Sequence, residues 1–189
     1  MSDDMNGHCS SPAEQILVDY FRAKDGNRPH LLERVFCADA QLEVKNATAV
    51  IAFPAMTHGR EGIADVLVRN FGRDNDNVYS FYLSAPPVGA VEQFSCNWLV
   101  GMTEKSSNSV RVGCGTYHWT LNYQPRPCAR ALAISIDVMQ ILPQAEQGSV
   151  MAWLETMRYP WCSASSAARS APEIQGLKPV LECLSKYAA

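Results

Sequence analysis

No C-x-x-C pair occurs among the seven cysteines, whose number is odd. They are spread along the chain at positions 9, 37, 96, 114, 128, 162 and 183. That spacing predicts reduced thiols in a cytoplasmic protein rather than a disulfide framework or a zinc site. There is no cluster of basic residues, and the net charge of −3 argues against a nucleic-acid partner. No stretch approaches the ~18 apolar residues that a membrane-crossing helix needs. The opening MSDDMNGHCSSP is acidic and polar, so it is read as neither a signal nor a transit peptide. No glycine-rich loop precedes a helix, since the GCG at 113–115 falls inside a strand pattern, and no cofactor or metal is expected.

What remains is a chain of 189 residues, 47 % hydrophobic, enough for one domain with a substantial core. Its centre is a pair of long alternating runs, Val110 to Tyr123 and Ala129 to Leu142, separated by Pro125 and Pro127. Gly113, Gly115, Tyr117, Trp119 and Leu121 share one face of the first run, and Cys114, Thr116, His118 and Thr120 share the other. Glycines beside aromatics on one face predict a strand that bends or is closely approached.

Ahead of these runs, Ser11-Pro12-Ala13-Glu14 starts a helix with an Ile16, Leu17, Tyr20, Phe21 stripe. A short helix follows over Pro29 to Phe36, then a strand to Val44 and a return strand over Thr48 to Phe53. A helix from Arg60 to Phe71, capped by Gly72, leads to strands at Val78 to Leu83 and Glu92 to Thr103. Helices followed by an antiparallel meander predict an α+β domain. Residues 1–10 read as a disordered tail and 11–143 as the domain. Residues 144–189 read as a helical extension, with a mobile Ser/Ala linker over Cys162 to Pro172 and a fold that survives truncation after Pro160.

The order of elements, Phe36-Cys37-Ala38-Asp39-Ala40 entering the first strand, and Gly59-Arg60-Glu61-Gly62-Ile63 opening a helix resemble the nuclear transport factor 2-like fold and its SnoaL-like group. The resemblance covers residues 11–143 and implies a cone-shaped, strongly curved, mostly antiparallel sheet around N-terminal helices, with an enclosed pocket. Families on that fold include isomerases, cyclases, dehydratases, hydrolases and non-enzymatic adaptors, so fold leaves function open. The ketosteroid isomerase pattern finds its first-helix tyrosine at Tyr20. Its general base falls near Val44, which carries no proton, and its oxyanion-hole acid falls near Tyr117. The cyclases' acid on the last strand is matched by Asp137.

The candidate catalytic pair is therefore His58, in the loop before the helix, and Asp137. The alternatives are a solvent-facing or helix-capping imidazole and an outward carboxylate. Alternation puts either Ser135, Asp137, Met139 and Ile141 inward, or Ile134, Ile136 and Val138. Tyr20, Phe53, Trp98, Tyr117, Trp119 and Met139 are the candidate ligand-binding residues, with plain core packing as the competing reading. The first functional reading is a small-molecule binder or cofactor-independent enzyme of isomerase, cyclase, dehydratase or hydrolase type, acting on an apolar cyclic or polyketide-like ligand. The second is a non-catalytic interaction or adaptor module. In either case a homodimer is expected, formed by the sheet face that carries Cys114, Thr116, His118 and Thr120.

Overall fold

The computed structural model describes residues 10–48 and 50–188. The expected N-terminal tail, Ser10 excepted, lies outside the described residues. The chain runs α1 (Pro12–Asp25), a 3-10 turn (Pro29–Arg34), β1 (Phe36–Asn46), β2 (Met56–His58) and α2 (Arg60–Ala64). A π-helical turn (Asp65–Asn70) joins α2 to α3 (Phe71–Asp74), and four long strands follow: β3 (Asn75–Tyr82), β4 (Gln93–Glu104), β5 (Val110–Asn122) and β6 (Cys128–Leu142). Helices α4 (Gln147–Glu155), α5 (Ala164–Ser170) and α6 (Lys178–Tyr187) complete the chain.

Helix α1 begins where its sequence dictates. The Ser11 hydroxyl accepts from the Glu14 N–H at 3.1 Å, and Pro12 occupies the first turn, where no N–H is needed. The six strands form one open sheet in the order β2-β1-β6-β5-β4-β3. All neighbouring pairs are antiparallel except β1 and β6, which run parallel. The fold is α+β.

One face of the sheet packs on α1. Ile16, Leu17, Tyr20 and Phe21 meet Trp98, Met102, Tyr117, Trp119, Leu132 and Ile136 in the main core. Gly115 lies at the tightest point of that face: a Cβ there would sit 1.8 Å from the Ser135 carbonyl oxygen and 2.7 Å from the Trp98 ring. Only a residue without a side chain lets β5 and β6 approach this closely.

The opposite face carries a second core. Phe81, Leu99, Val110, Val112 and Cys114 are covered by Val150, Trp153 and Leu154 of α4 and by Val180 and Leu184 of α6. The Ser/Ala stretch expected to be a mobile linker contains α5 instead, with Ala164 and Ala167 buried. Alanine is the best helix former, and its small side chain lets α5 lie close to α4, where Trp153 Nε1 donates to the Ala167 carbonyl at 3.1 Å.

Two further expectations are corrected, and one surface proves to be partly covered. The return strand is β2, pairing Gln41 with His58, and not Thr48 to Phe53. The Asn46 carboxamide oxygen accepts from the Thr48 N–H at 2.9 Å, a side-chain turn that competes with strand pairing there. The thiols are not all reduced: Cys37 and Cys128 form a disulfide across 91 residues, with Cα atoms 5.3 Å apart. That bond removes the cysteine-based ground for placing the chain in a reducing compartment. Finally, the sheet face expected to pair two copies is partly occupied, since Cys114 lies under α6 while His118 stays exposed with its Nδ1 2.8 Å from Ser95 Oγ. Among the described residues, no helix is long and apolar enough to cross a membrane.

Candidate functional site

A cavity of about 50 Å³ lies between α1 and the sheet face that packs on it. Tyr20 reaches it from α1, Trp98 from β4, Tyr117 from β5, Met139 from β6, and Phe53 from the segment before β2. Those five of the six candidate ligand-binding residues line one space. Trp119 does not: it is fully buried behind Tyr20, its ring 5.1 Å from that phenol and stacked on Phe36 at 5.9 Å.

Through Ile51, Phe53 and Phe71 this chamber adjoins a wider and more polar vestibule of about 660 Å³. The vestibule walls carry Arg73 beside Asp74 and Arg111 beside Glu104.

The chamber is apolar but not featureless. The Trp98 indole N–H is buried without a hydrogen-bond partner, and the Tyr20 hydroxyl, buried beside the Tyr117 hydroxyl, makes no hydrogen bond of regular geometry. Burial pushes the Tyr20 phenol well above its ordinary range; the neighbouring Tyr117 phenol is raised for the same reason. Both therefore remain protonated, and both can donate. A buried donor left unpaired costs about 1–3 kcal/mol, so two in one cavity call for an explanation.

Sequence reasoning missed the most polar member of the site. Lys24, only 6 % exposed, lines the chamber one turn beyond Tyr20. Its Nζ donates to Asp25 Oδ1 at 2.6 Å and to Ser80 Oγ at 2.7 Å. Ser80 in turn donates to Asp25 twice, from Oγ to Oδ1 at 2.8 Å and from its N–H to Oδ2 at 3.0 Å. The ammonium also lies 4.7 Å from the Phe71 ring centroid, a cation–π distance. Burial raises the Asp25 carboxyl above the usual carboxylate range, while Lys24 and Ser80 pull it back. The signal was present: positions 16, 17, 20, 21 and 24 form one helical stripe.

The expected catalytic pair is not assembled. Asp137 is exposed, and its Oδ2 accepts from the Tyr187 hydroxyl of α6 at 2.6 Å, on the sheet face away from the chamber. A bulge accounts for this. Cys114 pairs with Val138 and Gly115 with Ile136, leaving Asp137 as the extra residue between them. Ile134 and Ile136 therefore face the chamber, and past the bulge so does Met139. His58 ends edge strand β2, also exposed, and does not line the chamber. No proton relay joins these two residues.

No family model matches the sequence, and neither does any curated protein. Many solved structures match the fold. One is a candidate isomerase from Rhodopseudomonas palustris, with a TM-score of 0.56 at 10 % identity, the match covering 69 % of this chain and 92 % of that one. The fold is that of the nuclear transport factor 2-like proteins. A member of that superfamily from Salmonella enterica Typhimurium gives a TM-score of 0.50 at 14 % identity, over 67 % of this chain and 92 % of its own. A hexachlorocyclohexane dehydrochlorinase, LinA type 2, also gives 0.50 at 14 % identity, over 69 % and 86 %. The matched share leaves about a third of this chain outside.

Proposed function

We propose that this protein binds a small, largely apolar molecule of cyclic or polyketide-like type, with its head in the chamber and its body in the vestibule. The observation that carries the reading is a pair of buried donors without a regular hydrogen bond, Tyr20 Oη and Trp98 Nε1, on residues that line a largely apolar space. A ligand oxygen would satisfy what the protein leaves unsatisfied. Ligand sites are commonly apolar pockets with a few convergent polar groups, which is the composition found here. Related folds that carry a candidate isomerase or a dehydrochlorinase make chemistry in this space a natural extension, with His58 and Asp137 outside it.

A second reading, a homodimeric interaction module without a ligand, is favoured by one observation. The chamber alone, at about 50 Å³, is smaller than an ordinary ligand pocket. Ligand-observed NMR against a library of small cyclic compounds separates the two. Binding to the wild type that is lost in Ile51→Trp, which blocks the throat, supports the first. No binding, together with a dimer in sedimentation, supports the second.

A further inference from the structure

Lys24 is a cation inside an apolar chamber, and at first sight it asks for an anionic ligand. Its surroundings say otherwise. Asp25 sits 2.6 Å from the ammonium, so the pair carries no net charge. Along the route in, Arg73 is paired with Asp74 at 2.7 Å and Arg111 with Glu104. The remaining vestibule cation, Lys105, turns its ammonium to the Gly72 carbonyl at 2.7 Å.

Lys24 uses two of its three hydrogens, on Asp25 and Ser80, and has no third hydrogen-bond partner among the described residues. We infer that this hydrogen is the anchor for an uncharged ligand with one acceptor oxygen, a ketone, aldehyde or ester carbonyl, and that the site rejects carboxylates. The inference rests on the ligand-binding reading above and specifies its chemistry.

The physical argument compares two guests. A carbonyl oxygen gives up little hydration on entering, and gains a hydrogen bond to a charged donor, roughly twice as strong as one between neutral groups. Tyr20 from α1 and Trp98 from β4 line the same chamber, each with a buried donor that could take a further lone pair. A carboxylate loses a tightly held hydration shell and brings a second negative charge near Asp25. With only one cation between two anions in an apolar space, that charge is left uncompensated.

Three cyclopentyl probes test this, titrated by NMR at neutral pH: cyclopentanone and methylenecyclopentane, which share one shape, and the larger cyclopentanecarboxylate. The expected result is that the ketone binds the wild type about tenfold more tightly than the hydrocarbon, the carboxylate weakest of the three. Lys24→Met should bring ketone and hydrocarbon to parity without weakening the hydrocarbon. Asp25→Asn removes the neutralising charge and should turn the preference toward the carboxylate, a reversal that simple loosening of the fold does not produce. Circular dichroism checks both variants, and the wild-type ranking stands on its own if either unfolds. A wild type that prefers the carboxylate, or does not distinguish ketone from hydrocarbon, overturns the inference and leaves the ligand-binding reading intact. If not even the hydrocarbon binds, that reading falls and the inference with it.

Discussion

The Lys24 ammonium and the carboxylate of its chain neighbour Asp25 meet at 2.6 Å beside the chamber, both held by Ser80 of β3. Helix α1 thus ends in an ion pair that is almost entirely enclosed. Such a pair is a weak source of net stability, but breaking it strands a charge. Lys24→Ala should therefore destabilise the protein by about 3–5 kcal/mol, read from urea unfolding.

The same pair sets a pH dependence. Asp25 has its folded value raised above the unfolded 3.8, with burial the main cause. The folded state then holds that proton more tightly than the unfolded chain does. Stability contributed by Asp25 is present below 3.8 and is lost as pH rises through the folded value. Compared with Asp25→Asn, which does not titrate there, the wild type should lose relative stability as pH rises from 3.8. Unfolding curves for both proteins at several pH values check the sign.

His58→Ala and Asp137→Asn should leave ligand affinity unchanged. Neither residue lines the chamber, and Asp137 instead accepts from Tyr187. A loss of binding in either variant would show a route to the site that the packing does not reveal.

Why the inner residues were legible and the acid was not follows from one irregularity. Strict alternation offers Asp137 with Met139, or Ile134 with Ile136. The bulge gives Ile134, Ile136 and Met139 to the chamber together, a set that no single register contains. The aromatic stripe of α1 and the Tyr117 face of β5 were readable because no irregularity interrupts them there. Lys24 was passed over because lysine is ordinarily a surface residue, although its place on the Tyr20 stripe pointed inward. The Cys37–Cys128 bond joins residues 91 apart with no repeating cysteine spacing, so nothing in the chain singled it out.

The packing of the C-terminal helices argues against a second expectation, that a chain cut after Pro160 stays folded. Cutting after Pro160 removes Val180 and Leu184, which cover Val112 and Cys114. The shortened chain should bind a hydrophobic dye and aggregate, rather than remain a soluble folded domain. Size-exclusion chromatography with dye fluorescence decides this.

Reducing the disulfide, or substituting Cys37→Ser, should cost about 2–5 kcal/mol, because the bond restrains a long loop of the unfolded chain. A thermal melt with and without reductant measures the shift.

The location of that bond also has a mechanical side. Strands β1 and β6 run parallel, and Cys37 and Cys128 fasten them at the ends where both begin. Val44, Ile134 and Ile136, which wall the chamber, lie toward the other ends, where the chain leaves β1 for the Ile51–Phe53 throat. From Gln41 to Asn46 strand β1 is paired without a break to Ala131 through Ile136, whereas the register shifts between Phe36 and Gln41, beside the disulfide. The covalent clasp thus fastens the two strands where their hydrogen-bonded ladder is irregular, and the unbroken stretch of ladder carries the chamber wall.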